Sequence, residues 1–186
     1  MEKLINITGP PQFCEAARAT ADLLGRLGLE FAFVGAAAAS AWLGEDPAGS
    51  PVDVLGLLGP DRMQQVPMIA ANNGFEVNAD SVERARELDL IPMAWPSPDG
   101  TTPVHVLLAT NSLYSWMIRD SVEGTIDDKV VRIVCRSDWA LLLSVDDRAE
   151  AAVQLALLTK SMSEVEIERL NGRLETIGLR ERVVAR

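Results

Sequence analysis

The stretch from Phe31 to Leu58, FAFVGAAAASAWLGEDPAGSPVDVLGLL, constrains this chain more than any other. An apolar run ends at Gly35, and the small residues Ala36, Ala37, Ala38, Ala39 and Ser40 follow without a spacer. Residues this small let a helix start directly at a strand end and lie close to a sheet. They also leave room for a phosphate against backbone N–H groups, although without a full glycine fingerprint the same run serves plain helix–sheet packing. The breaker run GEDPAGSP comes next, and then a second apolar run holding one carboxylate, Asp53. A carboxylate in a buried strand is costly unless it is paired, hydrogen-bonded or open to a cleft. Asp53 therefore either faces a cleft or bonds backbone N–H groups at a strand start, and the residues alone weigh these two equally.

The rest of the chain places this unit in a mixed α/β pattern. Pro10 and Pro11 open a helix predicted to run to about Leu27, with Phe13, Ala17, Ala21 and Leu24 at helical spacing and Gly28 as its stop. Pro60 to Asn72 reads as a helix with Asp61 in its first turn and Pro67 as an internal breaker. GFEVNA, LIPMAW, PVHVLLAT and KVVRIVC read as strands, SVERARELDL as a short helix or a polar excursion, and Asn111 to Arg119 as a helix. From Ser137 the pattern turns helical, through WALLLSV, Arg148 to Thr159 and Ser163 to Ile177. The expected division is an α/β core over 1–136 and a helical segment over 137–186 packed on it.

Hydrophobic residues make up 48% of the 186, enough for a sizeable core. The formal net charge of −10 argues against an extended nucleic-acid surface. No run approaches the roughly 18 apolar residues of a membrane span, and the N-terminal MEKLINITGPPQF does not read as a signal peptide, so a cytoplasmic protein is expected. Cys14 and Cys135 fit no metal or redox spacing and are expected as buried thiols. The acidic pairs Asp127–Asp128 and Asp146–Asp147 read as solvated turns, and the four tryptophans as core or interface anchors. His105, the only histidine, lies in a predicted strand and reads first as a partly buried ring with its bonds satisfied. No nucleophile is nominated to build a triad on it.

The order of these elements from about Phe13 to Ile177 resembles the nucleotidyltransferase superfamily, especially the small bacterial minimal nucleotidyltransferases and type IV toxin–antitoxin toxins. FAFVGAAAASAWLG matches the family's strand, small-residue turn and short helix. SPVDVLGLL falls on its Asp-x-Asp strand, VHVLLA on the strand presenting a third acid, and VVRIVCRSDWALLLSV on the return strand and next helix. The resemblance implies a nucleotidyltransferase-like mixed sheet flanked by helices, with a helical C-terminal segment. It implies nucleotide-contacting positions at Gly35, Ala36, Ser50 and His105, and a metal or catalytic role for Asp53 where Mg²⁺ is used.

The departures from the family pattern are chemical. Two residues either side of Asp53 stand Pro51 and Leu55, neither of which binds a cation, and His105 occupies the third acidic position. Ser144 stands near the position of a family lysine. One carboxylate and one imidazole make a poor site for Mg²⁺, which favours oxygen ligands. The expectation is a catalytically degenerate member acting by binding a nucleotide or a protein partner, a second copy of itself included. The alternative is an active, Mg²⁺-dependent transferase moving a nucleoside monophosphate from an NTP to a protein, RNA or small-molecule acceptor. That alternative needs Asp53 and a further acid such as Glu45 or Asp46.

Overall fold

The computed structural model describes residues 5–78 and 81–178, apart from the side chains of Pro60, Asp61, Ser81, Val82, Arg84 and Arg86. The expectation for Asp61, and that for residues 1–4 of the N-terminal stretch, lie outside this description. The chain divides into two compact units, Met1–Ile133 and Val134–Arg186.

The first unit is a mixed α/β structure. In chain order it contains β1 (Ile5–Ile7), α1 (Pro11–Arg26), β2 (Phe31–Phe33), α2 (Gly35–Leu43), β3 (Val52–Gly56), α3 (Pro60–Met63), α4 (Gln65–Asn72) and α5 (Ser81–Leu88). There follow β4 (Leu90–Ser97), β5 (Gly100–Leu108), α6 (Ser112–Arg119), β6 (Val122–Ile126) and β7 (Lys129–Ile133). The strands form one seven-stranded sheet in the order β1-β6-β7-β2-β3-β5-β4. β2 runs antiparallel to β3, and β3 runs parallel to β5.

Local chemistry accounts for the main elements. Pro11 takes the first helical position of α1, where a missing N–H costs nothing. Its buried face includes Phe13, Ala17, Ala21 and Leu24. The helix ends because Gly28 adopts φ +62°, and Leu29 N–H then donates to Leu24 C=O at 3.0 Å. In α2, Ala37, Ala38 and Ala39 are buried, so the helix axis comes close to its neighbours. Ser40 Oγ accepts from Thr8 N–H at 2.9 Å and donates to Thr8 C=O at 2.6 Å, tying α2 to the chain just after β1.

Several strand and helix expectations are corrected. The short runs of β1 and of β6, which carries Glu123 and Gly124, were not legible as strands. GFEVNA is not a strand among the described residues: Glu76 makes only an isolated bridge to Ala94. The helix expected over Pro60 to Asn72 is interrupted at Gln64, as the internal breaker Pro67 requires. The ring and missing N–H of Pro67 disrupt the bond to the carbonyl four residues back, Met63. Pro67 then sits in the first turn of α4, where no intrahelical donor is lost. The prolines of β4, Pro92 and Pro96, sit on an edge strand, where an absent N–H is tolerated.

The second unit carries α7 (Arg136–Val145), α8 (Ala149–Ser161) and α9 (Glu164–Thr176). A capping box opens α9, with the side chain of Ser163 bonded to Glu166 N–H and that of Glu166 to Ser163 N–H. Asp138 on α7 is fully buried and meets Arg173 of α9 at 3.3 Å and Arg169 at 3.9 Å. Neither oxygen forms an aligned hydrogen bond, so the contact is mainly a Coulomb one. Cys135 is half-buried, not fully buried as expected, because it caps α7 from outside. Burial, with the charge of Asp138 second, pushes its thiol up to about 11, which leaves it unreactive at neutral pH.

Candidate functional site

Three of the residues singled out in the sequence converge where β2 gives way to α2. Val34, the residue before α2, is extended and donates its N–H to Asp53 C=O at 3.0 Å. The chain then turns sharply through Gly35 at φ +56°. A β-carbon on Gly35 would lie 2.5 Å from Asp53 Oδ2 and 3.2 Å from its β-carbon. Gly35 is therefore required twice, by its left-handed backbone and by the closeness of the Asp53 carboxylate to the first turn of α2. The first-turn N–H groups of a helix have no intrahelical partner and carry the positive end of its dipole, so this end of α2 suits a nearby carboxylate.

The parallel ladder between β3 and β5 places Asp53 directly beside His105. The two side chains meet, with His105 Nδ1 2.9 Å from Asp53 Oδ1. A carboxylate oxygen can only accept, so Nδ1 carries the proton and Nε2 is left to act outward. Side-chain exposures of 33% for His105 and 23% for Asp53 keep the pair within reach of solvent. The hydrogen bond that His105 donates to Asp53 is the main cause that holds the imidazole above its ordinary value; burial opposes it, and the Asp53 charge assists. Such a ring donates from Nε2 when charged and accepts there when neutral.

The other expected positions are not joined to this pair. Ala36 is the second residue of α2 and half-buried. Ser50 lies in the loop before β3, where its N–H donates to Pro47 C=O at 3.0 Å. Asp46, the candidate second acid, accepts from Ala48 N–H at 3.1 Å and closes its own loop. Ser144 belongs to the helical unit and donates to Leu141 C=O at 2.7 Å. Among the described residues no group of three or more His, Cys, Asp or Glu side chains could hold a metal ion.

Sequence reasoning placed Asp53 and His105 at one site but missed that the two side chains bond to each other. A signal existed: each is the one ionisable residue of an apolar strand, and the suspected topology sets those strands side by side. The register that brings 53 to 105 is a property of the assembled sheet. The acidic pairs behave as expected. Asp127 takes the positive φ of the β6–β7 turn and meets Arg18 at 3.3 Å, and Asp146 accepts from Arg148.

No family model and no curated protein matches the chain. Solved structures do. One is an antigenic nucleotidyltransferase-like protein from Paracoccidioides brasiliensis, with 11% identity and a TM-score of 0.50 over 89% of this chain and 88% of that one. Another is the antibiotic-resistance factor ANT(2'')-Ia, with 13% identity and a TM-score of 0.55 over 89% of this chain and 92% of that one. No helix among the described residues is long and apolar enough to cross a membrane. The mixed sheet with its flanking helices, taken with these likenesses, gives the chain a nucleotidyltransferase-like fold.

Proposed function

We propose that this protein is a catalytically degenerate nucleotidyltransferase-like protein that acts by binding a nucleotide or a protein partner, with the Gly35–Asp53–His105 site as the place of the nucleotide. The observation that carries this reading is the Asp53–His105 bond of 2.9 Å. It engages one oxygen of the carboxylate that a metal would need. No second carboxylate joins the pair among the described residues. This donor set does not fit Mg²⁺, which takes near-octahedral oxygen coordination. The imidazole instead offers, when protonated, an Nε2–H donor suited to a phosphate oxygen, next to the carboxylate that abuts the first residue of α2.

Titration with ATP and GTP, each with and without Mg²⁺, tests this by calorimetry and thermal shift. Saturable heat and a raised Tm that do not depend on Mg²⁺ are expected, because a ligand of the native state alone must raise apparent stability. Absence of both with every nucleotide would remove the nucleotide and leave partner binding. Mg²⁺-dependent turnover of any of the four NTPs, lost in Asp53→Ala, would establish the active transferase instead.

A further inference from the structure

The candidate site occupies the C-terminal end of β2, and a cavity opens at the other end of the same strand. The ladder between β2 and β7 contains a single register pair, Phe33 with Ile133. Two residues earlier on each strand, Phe31 and Val131 line one cavity of about 560 Å³. Helix α1 supplies the facing wall through Ala21, Asp22, Gly25 and Arg26, and β7 adds Lys129, Val130 and Arg132. A β-carbon on Gly25 would meet nothing within 4 Å, so the helix leaves open space at that position. This volume lies in the range of small-molecule sites.

The charge of this wall runs against that of the chain. Three cations and one carboxylate line the cavity of a protein whose formal net charge is −10. Lys129 pairs with Asp22. Arg26 and Arg132 are held differently: Arg26 Nη1 donates to the Asn73 side-chain oxygen at 2.6 Å, and Arg132 Nε donates to Ser121 Oγ at 2.9 Å. A second Arg132 nitrogen donates to Ser121 C=O. These acceptors are neutral, so they orient the two guanidinium groups without cancelling their charge. Val131 is buried and Phe31 half-buried, and on a strand both lie on the face that carries Lys129, while Val130 and Arg132 take the opposite face. The apolar surface of Phe31 and Val131 therefore has Arg26 of α1 as its nearest cation not paired with Asp22.

We propose that this cavity is a second ligand site, for a small organic anion whose apolar body lies against Phe31 and Val131 and whose anionic group faces Arg26. Small-molecule sites take this form, mostly apolar with a few placed polar groups that fix orientation. The site is separate from the one at Gly35, and its failure would leave the reading of that site unchanged.

The test is a fluorescence titration of the full chain with the aromatic anion anilinonaphthalene sulfonate, competed by decanoate and by decanol. One saturable site is expected, from which decanoate displaces the dye at least about tenfold better than decanol, as a charge-assisted contact requires. Gly25→Leu fills the open space and is expected to weaken the dye at least about tenfold, with the circular dichroism of the wild type and a Tm no lower, since leucine is the better helix former. Arg26→Gln is expected to weaken it about threefold or more. Absence of saturable binding, equal displacement by decanol, or wild-type affinity in a folded Gly25→Leu protein would each overturn the site. Should Gly25→Leu not fold, unchanged affinity in Arg26→Gln overturns it and weakened affinity supports it.

Discussion

Two acid–base pairs in this molecule, one in each unit, have opposite character. Asp138 is fully buried and faces Arg173 and Arg169, whose charges are permanent. Asp53 is partly exposed and faces His105, whose charge changes near neutral pH. The first pair holds two helices of the second unit in place, between charges that are buried or permanent. The second contributes little holding force, yet it presents a nitrogen that is a donor or an acceptor according to pH. A carboxylate with a permanent partner and no solvent belongs to the architecture, whereas one with a titratable partner and a solvent path is available to a ligand.

Removing the buried acid gives the largest effect. Asp138→Ala removes a fully buried carboxylate from beside Arg173, which is 17% exposed, and breaking such a pair costs about 3–5 kcal/mol. Urea unfolding followed by tryptophan fluorescence measures it. A loss below about 1 kcal/mol would place the pair with ordinary surface salt bridges and end the contrast.

An intermediate effect is expected at Gly35. Alanine there meets both the left-handed backbone and the Asp53 carboxylate, a cost of about 2–3 kcal/mol. Combining it with Asp53→Ala removes the oxygen at 2.5 Å but not the strained φ. The double variant should therefore recover part of the loss, and purely additive losses in the cycle would show that the two do not touch.

The smallest change concerns pH. Because His105 is held above its ordinary value by Asp53, its contribution to stability is complete below about 6.5, the unfolded value, and is lost as pH rises through the folded value. Asp53→Asn keeps an acceptor but removes the charge, so the folded value should fall toward 6.5 and this part of the pH dependence should flatten. As the chain has one histidine, a single imidazole resonance followed by NMR reports it. An unshifted titration would mean that Asp53 does not hold the ring.

Legibility varied with the physical source of each signal. The unit around Gly35 could be read because strand, turn and small-residue helix are local patterns, and the α1 boundaries because Pro11 and Gly28 have intrinsic backbone preferences. β1 and β6 could not, because three residues and a glycine-bearing run become strands only when partners complete their ladders. GFEVNA has strand composition but finds only a single bridge partner among the described residues.

By itself the sequence determined which residues carry ionisable groups in apolar strands, that Asp53 has no carboxylate two positions away, and that an apolar run ends at a glycine followed by small residues. These are facts of composition and local backbone preference. Only the tertiary structure decided that Asp53 and His105, 52 positions apart, form one hydrogen-bonded pair. It alone decided that β2 and β7 share one register pair and open a cavity beside it. Both depend on strand register and separation, which arise when remote segments pair and which no local pattern encodes.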